Sequence, residues 1–365
     1  MPLVRWSGVE RAPMIIAGPC AAESREQLFE TARRFAGTRI DYFRAGIWKA
    51  RTRPGSFEGI GDPALEWLRA AGDAYGFKTA TEVAHGRHVE AALKAGIDLL
   101  WVGARTTVNP FSVQELADAV RGTDVPILIK NPTSSDLGLW IGAIERFAQA
   151  GVRAMGGIHR GVSTVSSAPY RNAPMWSMVI ELRRMFPDFP IITDPSHICG
   201  RRDLLQDIAQ RAMDLGLDGL MIEAHPHPDN AWSDAAQQVT PERMGEIVAE
   251  LVVRSPDSAN AEFVASLEEL RERIDHMDHE LIAVLRQRME VVEKIAEQKR
   301  ASNVTILQVK RWRALLDDRL AAAAAQGLDQ AFVKAVYDVI HQESIRLQNA
   351  VISGRALADR GTDGS

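Results

Sequence analysis

Cysteine is scarce in this chain, and long apolar runs are missing. Only two cysteines occur in 365 residues, so the sequence predicts no disulfide framework. No apolar run reaches the roughly 18 residues that span a bilayer, and the N-terminus lacks the charged-then-apolar pattern of a signal peptide. We therefore predict a cytoplasmic protein with no membrane partner.

An excess of positive charge is absent as well. The formal net charge is -5 and the sequence pI is about 6.0. Because nucleic acids are bound through a broad basic face, this balance argues against a nucleic-acid partner and makes any cationic function local. With 46% hydrophobic and 25% charged residues, the chain can bury a substantial core and is long enough for more than one domain.

The first two thirds of the chain alternate between short β-rich runs and amphipathic stretches. Eight candidate strands begin at Met14, Ile40, Phe77, Leu99, Pro126, Val152, Pro190 and Gly219. Eight strand-helix units in about 240 residues predict an α/β fold, the (β/α)8 TIM barrel, over residues 1–254, with no separate domain before it. An open doubly wound sheet is the alternative, but AGPCAAES after the first strand lacks the GxGxxG fingerprint.

The character of the sequence changes after a polar, proline-containing linker at residues 255–260. Residues 261 to about 300 contain no glycine or proline and carry apolar residues three and four apart, which predicts one helix on the order of 60 Å long. Two shorter helices complete a three-helix, all-α domain over residues 261–353. They are too short to cover the long helix, so we expect a partner chain and an intertwined homodimer. Residues 354–365 are small and polar and are predicted to be disordered.

The working residues of a TIM barrel lie at the carboxyl ends of its strands. Cys20 ends the first strand, His197 follows the seventh, Glu223 ends the eighth and Asp234 lies in the next loop. Since these strands are neighbours in a closed barrel, the four side chains predict a divalent metal site. Each alone could be a packing or surface residue, as we interpret Cys199. Mixed sulfur, nitrogen and oxygen ligands suit Mn, Fe, Co or Zn better than Mg or Ca.

The remaining strand ends are mainly cationic. They carry Lys49, Arg51, Arg105, Lys130 and Arg160. In an acidic protein, five converging cations predict anionic ligands, although each alone could be a solvated surface charge. Glu82 ends the third strand, where it could orient a water molecule or form a structural ion pair.

The strand-end motifs together resemble the metal-dependent 3-deoxy-D-arabino-heptulosonate 7-phosphate (DAHP) synthases. They are GPCAAES at Gly18, KART at Lys49, GAR at Gly103, IKN at Ile129, HRG at His159, DPSH at Asp194, EAHP at Glu223 and SD at Ser233. The resemblance implies that Cys20, His197, Glu223 and Asp234 bind the metal and that Arg105, Lys130 and Arg160 help hold phosphoenolpyruvate. Lys49, Arg51 and Thr52 would serve the condensing substrates, including erythrose 4-phosphate, with Glu82 and Asp194 in the same site.

One position departs from that family. Ala50 stands where DAHP synthases usually have proline, and the related 3-deoxy-D-manno-octulosonate 8-phosphate synthases carry a K-A-N-R-S type motif there. The Arg51-Thr52 pair favours the DAHP synthase interpretation, and the octulosonate synthase remains the alternative.

The long helix carries cations at informative spacings. Arg288 and Lys299 are eleven residues apart, about three turns, and share a face. Arg271 lies seventeen residues before Arg288, roughly 26 Å away and about 100° around the helix, so it could act in the same site only from a partner protomer. The simpler alternative is a charged, solvated dimerisation arm.

Residues 267–348 resemble an all-helical chorismate mutase that forms intertwined dimers. The resemblance implies that Arg271 comes from the other protomer, that Arg288 and Arg311 grip carboxylates, and that Lys299 and Gln348 address the ether oxygen; Ser344 lies one turn before Gln348. Gln308 and Trp312 depart from the family, which has acidic residues there. The whole chain would then be a bifunctional shikimate-pathway enzyme, a homodimer or tetramer, with prephenate as an allosteric inhibitor. A silent dimerisation or effector-sensing module is the alternative.

Overall fold

A computed structural model describes residues 13–49, 55–164, 169–255 and 257–354. The predictions on Ala50, Arg51 and Thr52, and on the tail from residue 355, lie outside these ranges. The chain divides into two compact units between residues 256 and 257.

Eight parallel strands form the first unit and close on themselves in the order β1 to β8. Their bounds are β1 (Met14–Gly18), β2 (Tyr42–Arg44), β3 (Lys78–Val83), β4 (Leu99–Val102), β5 (Ile127–Lys130), β6 (Met155–His159), β7 (Ile191–Thr193) and β8 (Gly219–Glu223). Strand β8 pairs with β1, with Gly18 opposite Glu223. The TIM barrel prediction is therefore confirmed, and the open sheet is excluded.

The helices of this unit follow the strands along the chain. They are α1 (Arg25–Arg34), α2 (Pro63–Tyr75), α3 (Gly86–Lys94), α4 (Ala104–Thr107), α5 (Pro110–Ala119), α6 (Leu137–Gln149), α7 (Trp176–Met185), α8 (Pro195–Cys199), α9 (Leu205–Asp214) and α10 (Pro241–Ala249). Side chains cap several of them; Ser24, for example, accepts a hydrogen bond from the Gln27 backbone N–H. The short α4 and α8 begin directly after β4 and β7 and carry Arg105 and His197.

Two apolar layers fill this unit. The larger one lies between the strands and the surrounding helices and includes Cys199, which is only 2% exposed. The inner one fills the barrel with side chains such as Met14, Ile16, Trp101 and Met221. Burial on both faces explains the nearly continuous apolar runs of the strands. Because the interior is packed, chemistry is confined to the mouth.

Three helices form the second unit: α11 (Ala261–Ala301), α12 (Val309–Ala325) and α13 (Gln330–Ile352). The predicted long helix is thus confirmed, since α11 runs for 41 residues. Helix α11 packs on α13, and α12 packs on α13. Large apolar side chains of α11 remain exposed in the single chain, among them Leu270, Ile274, Met277, Leu281 and Ile282. None of the described helices is long and apolar enough to cross a membrane.

Candidate active site

Acidic and thiol groups meet where β1 and β8 end. The ligand atoms of Cys20, Glu223 and Asp234 all lie within 4.8 Å of one another. His197, in α8, borders this cluster, with its Nε2 atom 3.8 Å from Glu223 Oε1. The structure thus brings together the four residues singled out as metal ligands, with His197 at the edge of the set.

The close approach of β2 to β1 shapes this cluster. Gly18 has φ +149°, and a Cβ atom there would lie 2.1 Å from the Arg44 carbonyl oxygen, so only glycine fits. Arg44 reaches over the barrel interior, 1% exposed, with Nη2 3.3 Å from Glu223 Oε1 and its guanidinium 4.7 Å from the Trp101 ring centroid. Arg44 was not predicted from the sequence, although a lone arginine in an apolar strand indicates a buried partner.

Glu223 and Asp234 carry the negative charge of this cluster, since, despite burial, nearby cations lower the pKa of both carboxylates, whereas the Cys20 thiol keeps its proton. Burial raises the pKa of the Cys20 thiol to about 12, and the Glu223 carboxylate adds to that rise. Lys49 Nζ lies 3.0 Å from Cys20 Sγ. Glu223 Oε1 is fully buried and accepts no hydrogen bond from the described residues, although Arg44 is within ion-pair distance. Two carboxylates and a buried thiol, which a bound metal would deprotonate, fit a divalent cation whose charge would compensate theirs.

A second cluster lies beside the first and is built around Asp194. Its Oδ2 atom is 2.8 Å from Lys130 Nζ and 2.7 Å from His197 Nδ1, and all three groups are largely buried. Burial alone would raise the pKa of Asp194, but His197 and Lys130 hold it well below its usual value. The ionised carboxylate therefore fixes both Lys130 and the imidazole ring of His197.

Arg160 is the buried cation at the end of β6, only 7% exposed. Its Nη1 donates to Asn172 Oδ1 over 2.9 Å, and its backbone N–H donates to Asn131 Oδ1 over 2.7 Å. Burial lowers its pKa to about 10, and Arg171 and Arg105 contribute to the decrease. The guanidinium stays charged at neutral pH with a neutral amide as hydrogen-bond partner. Asn131 and Asn172 were not predicted, because an amide that orients a cation leaves no pattern in a sequence.

The other predicted mouth residues differ in exposure. Arg105 is exposed on α4. Glu82 accepts a hydrogen bond of 3.0 Å from Trp101 Nε1, which fixes one carboxylate oxygen.

The helical unit has polar pairs between α11 and α13. Arg288 Nη1 donates to Ser344 Oγ over 2.8 Å, and Lys299 Nζ donates to Gln348 Oε1 over 3.0 Å. Burial lowers the pKa of both cations. Arg271, in contrast, is exposed and pairs with Glu268 on its own helix. Four of the six predicted residues thus form these pairs, whereas Arg271 and Arg311 are exposed.

Trp312 of α12 lies next to a further residue of α13. It stacks on His341 of α13 with ring centroids 3.8 Å apart. Burial lowers the pKa of His341, and Arg288 contributes to the decrease. The position where an acidic residue was expected is therefore filled by an aromatic stack, and His341 was not foreseen.

A closed barrel that gathers ligand-type acids beside buried cations at its mouth defines an enzyme of the (β/α)8 class. Comparison with known proteins specifies the family: the DAHP synthetase I family model matches residues 5–255. The chain belongs to this family. The chorismate mutase type II model matches residues 270–349, so the helical unit is a domain of that type.

Individual relatives agree with the family match. A phospho-2-dehydro-3-deoxyheptonate aldolase of Thermotoga maritima is 35% identical over 237 residues, 65% of this chain and 68% of the relative. A 2-dehydro-3-deoxyphosphooctonate aldolase of Helicobacter pylori is 29% identical over 274 residues, 66% of this chain and 94% of the relative. The crystal structure of the Thermotoga maritima DAHP synthase is 32% identical, with a TM-score of 0.59 over 65% of this chain and 67% of that one.

Proposed function

We propose that the barrel condenses phosphoenolpyruvate with erythrose 4-phosphate to form DAHP and phosphate, and that the helical domain converts chorismate to prephenate. The observation that carries the first activity is that one barrel mouth holds both the ligand-type group of Cys20, Glu223 and Asp234 and two buried cations, Lys130 and Arg160. Both activities are chemistry of the shikimate pathway, and their fusion in one chain supports assigning both to it.

The proposed metal ligands are Cys20, His197, Glu223 and Asp234, and the ion would be Mn, Fe, Co or Zn. When bound, such an ion supplies Lewis-acid polarisation of the sugar aldehyde. The buried carboxylate of Glu223 and the mixed donor atoms of the cluster support this assignment.

The cations of the chain bring two phosphorylated substrates together against their mutual repulsion. Lys130 and Arg160 would hold phosphoenolpyruvate, joined by the exposed Arg105, while Lys49 would face the condensing substrates. The methylene carbon of phosphoenolpyruvate bonds to the aldehyde carbon as the alkene and carbonyl π bonds break. Water adds to the carbon that bears the phosphate and gives a proton to the former aldehyde oxygen. The C–O bond to phosphate then breaks, which forms the ketone and releases phosphate. Asp194 would hold Lys130 in place during this sequence, because it is bound to Lys130 through a buried ion pair.

Arg51, Thr52 and Glu82 complete the proposed barrel site. Arg51 and Thr52 are assigned by motif alone. Glu82 stands beside the cations as the carboxylate that could orient the attacking water.

The rearrangement of chorismate requires no nucleophile, only stabilisation of a polar transition state. Arg288 and Lys299, oriented by Ser344 and Gln348, supply fixed positive charge, and Arg311 would add a third cation. Arg271 is proposed to enter this site from a second protomer. The exposed apolar side chains of α11 support a homodimer, since they would otherwise face water.

The barrel assignment is tested by measuring phosphate release from phosphoenolpyruvate with erythrose 4-phosphate or with arabinose 5-phosphate as cosubstrate. We expect turnover with the four-carbon sugar only, and loss of turnover after exhaustive chelation. A preference for arabinose 5-phosphate would instead favour the octulosonate synthase, the activity named for the Helicobacter pylori relative.

The helical domain is tested in the full chain by following the loss of chorismate. We expect turnover in the wild type and its loss in Arg288→Ala, with Arg286→Ala as the matched control, because Arg286 is exposed and pairs only with Glu290 among the described residues. Absence of chorismate turnover in the wild type would favour the silent dimerisation or effector-sensing module. Prephenate inhibition of phosphate release would add the proposed allosteric role.

A further inference from the structure

Two consecutive glutamines, Gln237 and Gln238, follow the loop that carries Asp234. Their residues are 1% and 0% exposed. Burying a polar amide costs free energy unless its hydrogen bonds are made, so two adjacent buried amides need partners. Both find them on the segments that carry the proposed metal ligands.

Gln237 joins Glu223 to Arg171. Its Nε2 atom donates to Glu223 Oε2 over 2.7 Å, and its Oε1 atom accepts from Arg171 Nη1 over 2.7 Å. The same Arg171 atom donates to Asp234 Oδ1 over 3.0 Å. The two proposed carboxylate ligands are thus connected through one amide and one guanidinium.

Gln238 joins the β1 loop to the β8 loop. Its Oε1 atom accepts from the Cys20 backbone N–H over 2.9 Å, and its Nε2 atom donates to the Ser233 carbonyl oxygen over 2.8 Å. Cys20 and Asp234, the neighbour of Ser233, are therefore held at a fixed separation although they lie 214 residues apart.

The partners decide the orientation of both amides. A carboxylate oxygen can only accept and a guanidinium N–H can only donate, so Gln237 must turn its nitrogen to Glu223 and its oxygen to Arg171. The backbone N–H of Cys20 and the carbonyl of Ser233 fix Gln238 in the same way. Neither amide adds charge to the cluster, whereas a carboxylate at position 237 would repel Glu223 and could not donate to it.

Asp234 needs such support because its backbone is unusual. Its φ is +49°, in the left-handed region that non-glycine residues seldom adopt. A strained residue keeps one conformation only when its surroundings hold it there. Ser233 directly precedes Asp234, and the Gln237 backbone N–H donates to the Asp234 carbonyl oxygen. The glutamine contacts described above hold both Ser233 and Gln237 in place.

We propose that Gln237 and Gln238 are positioning residues that hold Cys20, Glu223 and Asp234 in a preformed cation-binding arrangement. This inference rests on the metal part of the proposed function. Groups that orient metal ligands contribute a substantial part of metal affinity, and their loss typically weakens binding by about 10- to 100-fold.

The test is a titration of the metal-free full chain with Co²⁺, followed through its visible bands and the thiolate-to-metal absorption in the near ultraviolet. Gln237→Met and Gln238→Met keep side-chain length but lose both hydrogen bonds. Each is expected to raise the Co²⁺ dissociation constant about 10- to 100-fold relative to the wild type. Gln206→Met is the matched control, since Gln206 lies on α9 and donates to the Ile247 carbonyl oxygen, outside the cluster; its Co²⁺ affinity should equal that of the wild type.

The possible results distinguish the positioning role of Gln237 and Gln238 from the proposed metal site itself. Wild-type affinity in both folded glutamine variants would overturn the positioning role and leave the metal site standing. No Co²⁺ binding by the wild type would overturn both. If Gln238→Met fails to fold, Gln237→Met decides, because its thermal unfolding without metal shows whether a weaker affinity arises in a folded barrel.

Discussion

Replacement of Arg44 by methionine should destabilise the barrel more than the same replacement of an exposed arginine. Arg44 and Glu223 are 1% and 0% exposed, and their ion pair spans 3.3 Å. Burial alone would raise the pKa of Glu223, but His197 and Arg44 hold it below its usual value. The Arg44→Met variant therefore leaves a buried carboxylate short of one of its compensating charges.

The size of the expected loss in unfolding free energy depends on the partners that Glu223 keeps in the Arg44→Met variant. Removing one partner of a buried ion pair typically costs about 3–5 kcal/mol. Glu223 keeps its hydrogen bond to Gln237. We therefore expect a loss near the lower limit, about 3 kcal/mol, in the metal-free protein. The double variant Arg44→Met with Glu223→Gln should recover part of that loss, because it also removes the uncompensated charge.

Urea unfolding of the metal-free full chain, followed by tryptophan fluorescence, measures this effect. Of the eight tryptophans only Trp312 lies beyond residue 256, so the signal reports mainly the barrel. Arg254→Met is the control, since Arg254 forms an exposed pair with Asp214 and should cost less than about 1 kcal/mol. A loss in Arg44→Met no larger than in the control would refute the claim that Glu223 carries a buried charge.

Three further predictions use other parts of the chain. Exhaustive chelation should stop phosphate release from phosphoenolpyruvate and leave chorismate turnover unchanged; parallel loss of both would contradict separate sites. Arg271→Ala and Arg288→Ala should each be inactive toward chorismate, yet subunit exchange between them should restore about a quarter of wild-type activity, because half of the dimers would contain one intact site; no recovery would place Arg271 outside the partner's site. Burial lowers the pKa of His88, stacked on Trp48, to about 4, so the folded state excludes a proton that the unfolded state binds below pH 6.5. The contribution of His88 to stability should therefore fall by at most about 3 kcal/mol between pH 6.5 and 4, in addition to that of other buried histidines such as His159, whose pKa burial also lowers to about 4. His88→Phe should flatten the fall in urea midpoints measured against pH; an unchanged slope would show that His88 does not contribute to it.

The barrel was predictable because its pattern is local and repeated. Each strand is a short apolar run, and each helix shows its own period and caps, so eight repeats could be counted without knowing any contact. Strand order then placed Cys20, Glu223 and Asp234 near one another, since closure makes β8 the neighbour of β1. The long α11 was predictable for a similar reason, as glycine and proline are absent from it.

The supporting residues were not predictable in this way. Arg44 is the last residue of β2, after two aromatic residues, and only its charge marks it as unusual. Gln237 and Gln238 carry no charge and follow an irregular loop, so neither period nor composition distinguishes them. Their importance arises from contacts across long stretches of sequence, such as the one to Cys20, 218 residues away. Contacts of that kind exist only after the barrel has closed.

Each domain contains cations that are oriented by a neutral amide or hydroxyl, although Lys130 is instead held by the Asp194 carboxylate. Arg160 donates to Asn172 in the barrel, while Arg288 and Lys299 donate to Ser344 and Gln348 in the helical domain. A neutral amide or hydroxyl fixes the direction of a cationic side chain without cancelling its charge, whereas a carboxylate would do both. The positive field therefore remains available to an anionic ligand, and the side chain loses little freedom when that ligand arrives. Gln237 serves an acidic group in the corresponding way, since it orients Glu223 and leaves its negative charge for a cation.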